Sequence, residues 1–208
     1  MLLRAYGPQH WWPGETRLEI IVGAVLTQNT NWRNVARAID NLQAAGLLDW
    51  PALLAADDDT LRECIRPSGF YNVKLARLRA LLGYLAPWGL EHLRFAALPL
   101  DALRAELLDV HGIGPETADS ILLYAFGRAT LVVDAYTRRL LVRLGAAEAQ
   151  RASYAALRAR LMAALPPDVA LYNEAHALIV RHAKEHCRAK PRCQGCPLQM
   201  HCAYAHGH

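Results

Sequence analysis

The sequence predicts an all-α protein, and three observations support this fold class. Apolar residues recur at three- and four-residue intervals, as at Leu75, Leu78 and Leu82, which is the spacing of an amphipathic helix. Residues typical of helix caps and helix ends separate such segments along the chain. Strand patterns are scarce, since the only candidate is the short apolar run TLVV at residues 130–133.

The helical segments follow one another closely. Residues 16–46 predict two helices with a break at Gln28, Asn29 and Thr30, and residues 57–65 predict a helix that starts after a capping Asp. Further helices are predicted over residues 71–85, 100–110, 116–127, 134–145, 153–166 and 172–187. Gly127 and Gly145 end two of them, as glycine commonly does.

The composition permits an anionic partner. The chain has 208 residues and a formal net charge of +4, which is compatible with nucleic acid binding but does not establish it. Its only lysines are Lys74, Lys184 and Lys190. No apolar run reaches membrane-spanning length, and no basic start followed by an apolar segment marks a signal peptide. We therefore expect a cytoplasmic protein with no membrane partner.

Four of the five cysteines lie close together near the C-terminus. Cys187, Cys193, Cys196 and Cys202 follow the pattern C-x5-C-x2-C-x5-C, and four thiols in so short a segment predict one metal centre. Zinc and iron–sulfur are both open, although unequal spacers around a single C-x2-C slightly favour a [4Fe–4S] cluster. We expect the distant Cys64 to be a buried core thiol.

A tight turn precedes the helix of residues 116–127. Gly112 and Gly114 allow a close hairpin around Ile113, and such a turn can direct main-chain N–H groups toward an anion such as a DNA phosphate. An ordinary connector between two helices is the alternative. Thr117 lies at the start of the second helix.

Asp134 stands at the start of a basic helix. An Asp at this position is a good N-cap, and a cap residue can also face a cleft. Arg138, Arg139 and Arg143 follow on the same helix, where they either meet phosphates or form a solvated face.

Taken in order, these motifs resemble the endonuclease III, or helix-hairpin-helix-GPD, superfamily of DNA glycosylases. LTQNT at residues 26–30 resembles the family's loop whose glutamine, here Gln28, fills the space left by an extruded base. GFYNVK at residues 69–74 resembles its wedge segment, with Phe70 as the wedge. HGIGPETA at residues 111–118 resembles the hairpin, VVDAYTRR carries the family Asp at Asp134, and the four cysteines resemble the [4Fe–4S] loop.

The resemblance implies two helical domains that flank a DNA-binding cleft. Residues 14–127 would form a six-helix domain that ends in the helix-hairpin-helix, and residues 1–13 with 128–208 would form the cluster domain. It also implies a role for Asp134 in catalysis. The implied partner is double-stranded DNA with a damaged base, bound by a monomer associated with a bacterial nucleoid.

Two positions depart from the family pattern. The first cysteine spacer has five residues where the family usually has six. Glu116 stands where bifunctional members carry a nucleophilic lysine, and a carboxylate cannot form a Schiff base. We therefore expect strand cleavage by the family's lyase route to be absent or weak.

An aromatic cluster suggests the base pocket. Trp11, Trp12 and Pro13 are adjacent, and Trp32 follows the Gln28 loop. This arrangement resembles the 3-methyladenine branch of the superfamily, in which such residues sandwich the damaged base. Glu116 either adds negative potential near a cationic base in this pocket or pairs with a nearby arginine. Electron-rich rings favour cationic bases, although each Trp can instead be a packing residue.

The sequence thus predicts a monofunctional glycosylase of base excision repair that releases N3-alkylated purines. One alternative is an endonuclease III-like enzyme for oxidised pyrimidines or mismatched bases with little lyase activity. Another is a non-catalytic iron–sulfur protein that binds DNA.

Overall fold

The computed structural model describes residues 1–9, 11 and 14–207, and within these residues every regular element is helical. The all-α prediction is therefore confirmed. The α-helices are α1 (Leu2–Tyr6), α2 (Arg17–Leu26), α3 (Trp32–Ala44), α4 (Trp50–Ala55), α5 (Asp58–Ile65), α6 (Tyr71–Leu85), α7 (Arg94–Ala97), α8 (Leu100–Asp109), α9 (Pro115–Ser120), α10 (Ala135–Arg143), α11 (Tyr154–Ala163), α12 (Val169–Glu185) and α13 (Ala203–Gly207). Short 3₁₀ turns cover Arg66–Ser68, Ala147–Gln150 and Gln199–His201, and a π-helical turn, Ile121–Ala125, directly continues α9.

The candidate strand at residues 130–133 does not form. This segment is irregular, and Thr130, Leu131, Val132 and Val133 are all buried. Its run of apolar residues therefore reflects burial of all four side chains. Periodicity alone cannot distinguish such a buried irregular segment from a buried strand.

The chain packs into two compact units, one of which is Trp12–Arg128. Its described core draws on α2, α3, α5, α6, α8 and α9, with fully buried side chains such as Ile21, Leu42 and Leu78. Side-chain oxygens cap the starts of three of these helices: Thr16 caps α2, Asn31 caps α3 and Asp57 caps α5. Cys64 is half-buried against this core, so it is less buried than expected.

The other unit consists of Met1–Trp11 and Ala129–His208. α12 holds the N-terminal segment, because the main-chain N–H of Gln9 donates to Glu174 at 2.8 Å and Arg181 donates to the carbonyl of Tyr6 at 3.0 Å. These contacts anchor the chain two residues before Trp11. Among the described residues, no helix combines the length and the apolar character that a membrane span requires.

Candidate functional site

The predicted hairpin joins α8 to α9. Gly112 has a φ of +78°, which favours glycine. The side chain of Ile113 is buried, and its N–H donates within the turn to the carbonyl of Val110 at 3.0 Å. The hairpin side chain thus fixes the turn to the core, while Gly114 and Glu116 are exposed at the start of α9.

A buried ion pair braces the hairpin helices. Arg104 of α8 binds both carboxylate oxygens of Asp119 on α9, at 2.9 and 3.0 Å. Asp119 is fully buried, so the paired guanidinium offsets the cost of burying its charge. The two hydrogen bonds also link α8 directly to α9.

Gln28 is attached to this hairpin. Its amide nitrogen donates to the carbonyl of Gly112 at 3.1 Å and to the hydroxyl of Thr117 at 3.0 Å. Its amide oxygen accepts from Arg77 at 2.5 Å. The structure therefore brings together three of the predicted DNA-contacting residues, Gln28, Gly112 and Thr117. Arg77 was not identified from the sequence, because no local pattern predicts its contact with Gln28.

Phe70 and Asn29 are the only non-glycine residues of the described chain with positive φ, at 47° and 53°. For a bulky residue such as Phe this conformation is uncommon. The side chain of Phe70 is 71% exposed, and Val73, one turn later, is also exposed. An apolar side chain held outward on a strained backbone suits a wedge that enters a base stack.

Lys74 connects the Gln28 loop to the segment before Phe70. Its ammonium group is buried and donates to the carbonyls of Leu26, at 2.8 Å, and Ser68, at 2.6 Å. These carbonyls lie two residues before Gln28 and two before Phe70. Burial, together with the smaller effect of the charge on Arg77, lowers the pKa of Lys74 to about 8.

Two predicted base-pocket residues, Trp32 and Glu116, lie in the Trp12–Arg128 unit. The half-buried ring of Trp32 packs against Gly23 of α2, where a Cβ would meet it at 3.5 Å. Glu116 is exposed in the first turn of α9. Trp12 and Pro13 lie outside the described residues.

Asp134 is the N-cap of α10. One carboxylate oxygen accepts from the N–H and the hydroxyl of Thr137, at 2.7 and 2.9 Å. The other oxygen lies 3.4 Å from Nε2 of His176 on α12. Burial by itself would raise the pKa of Asp134, but bonding and charge from His176, together with the bonds from Thr137, hold it below the ordinary 3.8.

His176 also contacts Trp11. The two rings meet edge-on with their centroids 5.7 Å apart. Trp11, His176 and Asp134 therefore form a continuous row of contacts. His176 belongs to an apolar helical pattern in the sequence, which gave no sign that its ring faces Asp134.

The three arginines of α10 bind main-chain oxygens of neighbouring loops. Arg138 donates to Ala149 and Ala152, Arg139 to Cys187, and Arg143 to Arg188 and Ala189, at 2.5 to 3.0 Å. Their side chains thus hold loops in place, a role that the sequence did not reveal.

The four clustered cysteines line one small cavity of about 20 Å³, which is partly open to solvent. Leu140, Leu144 and Leu198 form apolar parts of its wall. Arg143 lies 3.3 Å from the sulfur of Cys187. Burial raises the pKa of Cys196; the N–H of Leu198 lowers it, and the other three cysteines raise it. No three His, Cys, Asp or Glu side chains among residues 1–9, 11 and 14–207 are grouped tightly enough to hold a metal ion.

Comparison with known proteins identifies the family. Residues 22–167 match the HhH-GPD superfamily of base excision DNA repair proteins. The chain belongs to this superfamily. The match includes the hairpin, the Gln28 loop and Asp134, so the protein is a DNA glycosylase of the HhH-GPD type.

Individual relatives agree with this assignment. A provisionally named DNA repair glycosylase of Methanocaldococcus jannaschii is 48% identical over 97% of this chain and 92% of its own length. The crystal structure of an H. pylori 3-methyladenine DNA glycosylase bound to 1,N6-ethenoadenine is 31% identical, with a TM-score of 0.68 over 88% of this chain and 92% of that one. An endonuclease III–DNA complex shares the fold, with 22% identity and a TM-score of 0.78 over 99% of this chain and 92% of that one.

Proposed function

We propose that this glycosylase is monofunctional and releases N3-alkylated purines such as 3-methyladenine. The observation that carries the proposal is the row formed by Trp11, His176 and Asp134, in which His176 links the indole ring to a mostly buried carboxylate. A cationic base gains from contact with an electron-rich ring. The likeness to a 3-methyladenine glycosylase at 31% identity supports the same substrate class.

Asp134 is the proposed catalytic residue. As the bond between sugar C1′ and the base breaks, positive charge develops on the sugar, and the carboxylate stabilises it. The electron pair of that bond leaves with the alkylated base, which becomes neutral. Water adds to C1′ and loses a proton to Asp134, which passes it to solvent. His176 acts as a positioning residue that orients the carboxylate.

No lysine in the hairpin is available for lyase chemistry. Glu116 stands at the family's lysine position, and the amine of Lys74 is buried and donates to two carbonyls. We therefore propose that strands are cut only by later treatment with alkali.

The DNA contacts are proposed to come from the Trp12–Arg128 unit. Phe70 enters the base stack, Gln28 fills the space that the flipped nucleotide leaves, and the hairpin at Gly112–Gly114 meets a phosphate. The exposure of Phe70 and the left-handed backbone at Asn29 and Phe70 support these roles.

We propose that Cys187, Cys193, Cys196 and Cys202 hold a [4Fe–4S] cluster. The chemistry of the donor set fits, because four thiols line one partly apolar cavity; in the described residues these side chains are spaced more widely than the ligands of a bound metal. The cluster, when bound, would supply structural cross-linking of the loop, and no step of base release depends on it.

The test is to incubate the purified protein with methylated DNA and with DNA that contains an oxidised pyrimidine, and to identify the released bases by mass spectrometry. We expect 3-methyladenine, with strand breaks only after alkali. Release of the oxidised pyrimidine instead would contradict the substrate assignment. A protein–DNA adduct trapped by borohydride would contradict the lyase assignment.

Two variants test the residues. Asp134→Asn is expected to slow base release by two orders of magnitude or more, on the order of 3 kcal/mol, and to leave DNA binding intact. Trp11→Ala should impair release of alkylated purines. The matched control is Trp88→Ala, since Trp88 is half-exposed in the other unit and contacts Arg94.

A further inference from the structure

Arg77 lies where three predicted DNA-contacting segments meet. It belongs to α6, which begins directly after Phe70. Its guanidinium donates to the amide oxygen of Gln28 at 2.5 Å. Its side chain also lies over the hairpin, since a Cβ on Gly112 would come within 3.0 Å of three Arg77 atoms.

These contacts determine how the Gln28 amide is oriented. An amide group can rotate by half a turn and exchange its oxygen and nitrogen. With Arg77 donating to the oxygen, the nitrogen must face its two acceptors, Gly112 and Thr117. Arginine has no acceptor atoms and keeps its charge at all ordinary pH values, so the opposite orientation would bring the NH₂ group against a cation.

We propose that Arg77 is a positioning residue that fixes the Gln28 side chain against the hairpin in the orientation that enters DNA. This inference rests on the proposed role of Gln28 in filling the vacated space. Arg77 acts through Gln28 and does not bind a phosphate. A preorganised Gln28 loses less side-chain entropy when the duplex opens, so DNA binding is stronger.

The test is a double-mutant cycle on binding to duplex DNA that carries a stable abasic-site analogue, which requires no base release. Arg77→Met keeps the alkyl chain over Gly112 and removes the guanidinium. We expect it to weaken binding by on the order of tenfold. In the Gln28→Ala background the same change should have an effect of less than about twofold. An equal loss in both backgrounds would overturn the inference.

The salt dependence separates positioning from phosphate contact. Removing a direct phosphate contact lowers the slope of log affinity against log salt by about one. We expect Arg77→Met to leave this slope unchanged, and a decrease of one would show that Arg77 binds the backbone itself.

Arg79→Met is the matched control. Arg79 lies on the same helix and is equally half-buried, but it binds Asp58 and main-chain oxygens of the α4–α5 region. It should lower thermal stability and leave DNA affinity unchanged; a tenfold loss of affinity would assign the Arg77 effect to general disturbance of α6.

Arg77→Lys retains a charged donor, so its loss of affinity should be smaller than that of Arg77→Met and should also vanish with Gln28→Ala. This variant serves the cycle if Arg77→Met does not fold. If Gln28→Ala alone leaves affinity unchanged, the proposed role of Gln28 fails together with this inference. If Gln28→Ala weakens binding and Arg77→Met does not, only the inference fails.

Discussion

At the scale of single residues, Asp134 divides its two carboxylate oxygens between structure and proposed chemistry. One oxygen caps α10 through Thr137, and the other faces His176. Because the cap accounts for one oxygen only, the second remains oriented toward the Trp11–His176 contact. One side chain can therefore be both the cap residue and the proposed catalytic residue.

His176→Leu should move the acid limb of the pH–rate profile upward. Burial raises the pKa of Asp134 and His176 lowers it, so removal of His176 should raise this pKa. The carboxylate then becomes protonated at a higher pH. Single-turnover base release measured against pH tests this shift. His176→Gln, which keeps a hydrogen-bond donor, should shift it less; an unmoved limb in His176→Leu would show that His176 does not tune Asp134.

Lys74 should make stability depend on alkaline pH. Its pKa is about 8 in the folded protein and 10.5 in an unfolded chain, so between these values the unfolded state binds more protons and stability rises with pH. The difference in free energy of unfolding between wild type and Lys74→Met, measured by urea titration from pH 7 to 10.5, should show this rise. A difference in free energy of unfolding that does not change with pH would contradict this prediction.

At the scale of elements, the hairpin depends on what packs over it. Gly112 needs glycine both for its positive φ and for the Arg77 side chain above it. The buried Arg104–Asp119 pair then holds α8 and α9 on either side. The hairpin is thus fixed by contacts from α6 and α8, not by its own sequence alone.

Gly112→Ala should therefore lower the free energy of unfolding by more than backbone strain alone would. Gly127→Ala is the matched control, because Gly127 has a φ of +59° and no atom within 4 Å of a Cβ. We expect Gly127→Ala to lower the free energy of unfolding by about 1–2 kcal/mol, and Gly112→Ala to lower it further and to weaken DNA binding. Thermal or urea unfolding measures the first effect. An equal decrease in the free energy of unfolding in the two variants would mean that the Arg77 side chain moves away from the new Cβ without destabilising the protein.

At the scale of the whole molecule, the C-terminal loop is held by contacts from elsewhere in its unit. Arg139 and Arg143 of α10 bind it, and the sulfur of Cys202 donates to the carbonyl of Arg143 at 3.3 Å. Loss of a bound cluster would leave four thiols around a cavity beside α10, so the stability of this unit should follow its iron content.

Cys196→Ala should reduce iron and sulfide content and lower the thermal unfolding temperature. Cys64→Ala is the control, since Cys64 lies half-buried in the other unit. It should leave iron and sulfide unchanged. Iron and acid-labile sulfide assays with thermal melts measure both variants, and full iron content in Cys196→Ala would remove that residue from the proposed ligand set.

The sequence was sufficient for the all-α fold and the break between α2 and α3, because helical periodicity and capping residues are local signals. It left residues 130–133 as a strand candidate, since a buried irregular segment and a buried strand share one apolar pattern. Arg77 and His176 were not identified as site residues, because each contact joins residues more than forty positions apart, as in Arg77 to Gln28 and His176 to Asp134.

The arginines of α10 bind carbonyl oxygens, and every residue type has a carbonyl. The acceptors at Ala149, Ala152, Arg188 and Ala189 would survive almost any substitution at those positions. The loops can therefore diverge in sequence while α10 keeps them in place. Tolerance to mutation should be high at the acceptors and low at Arg138, Arg139 and Arg143.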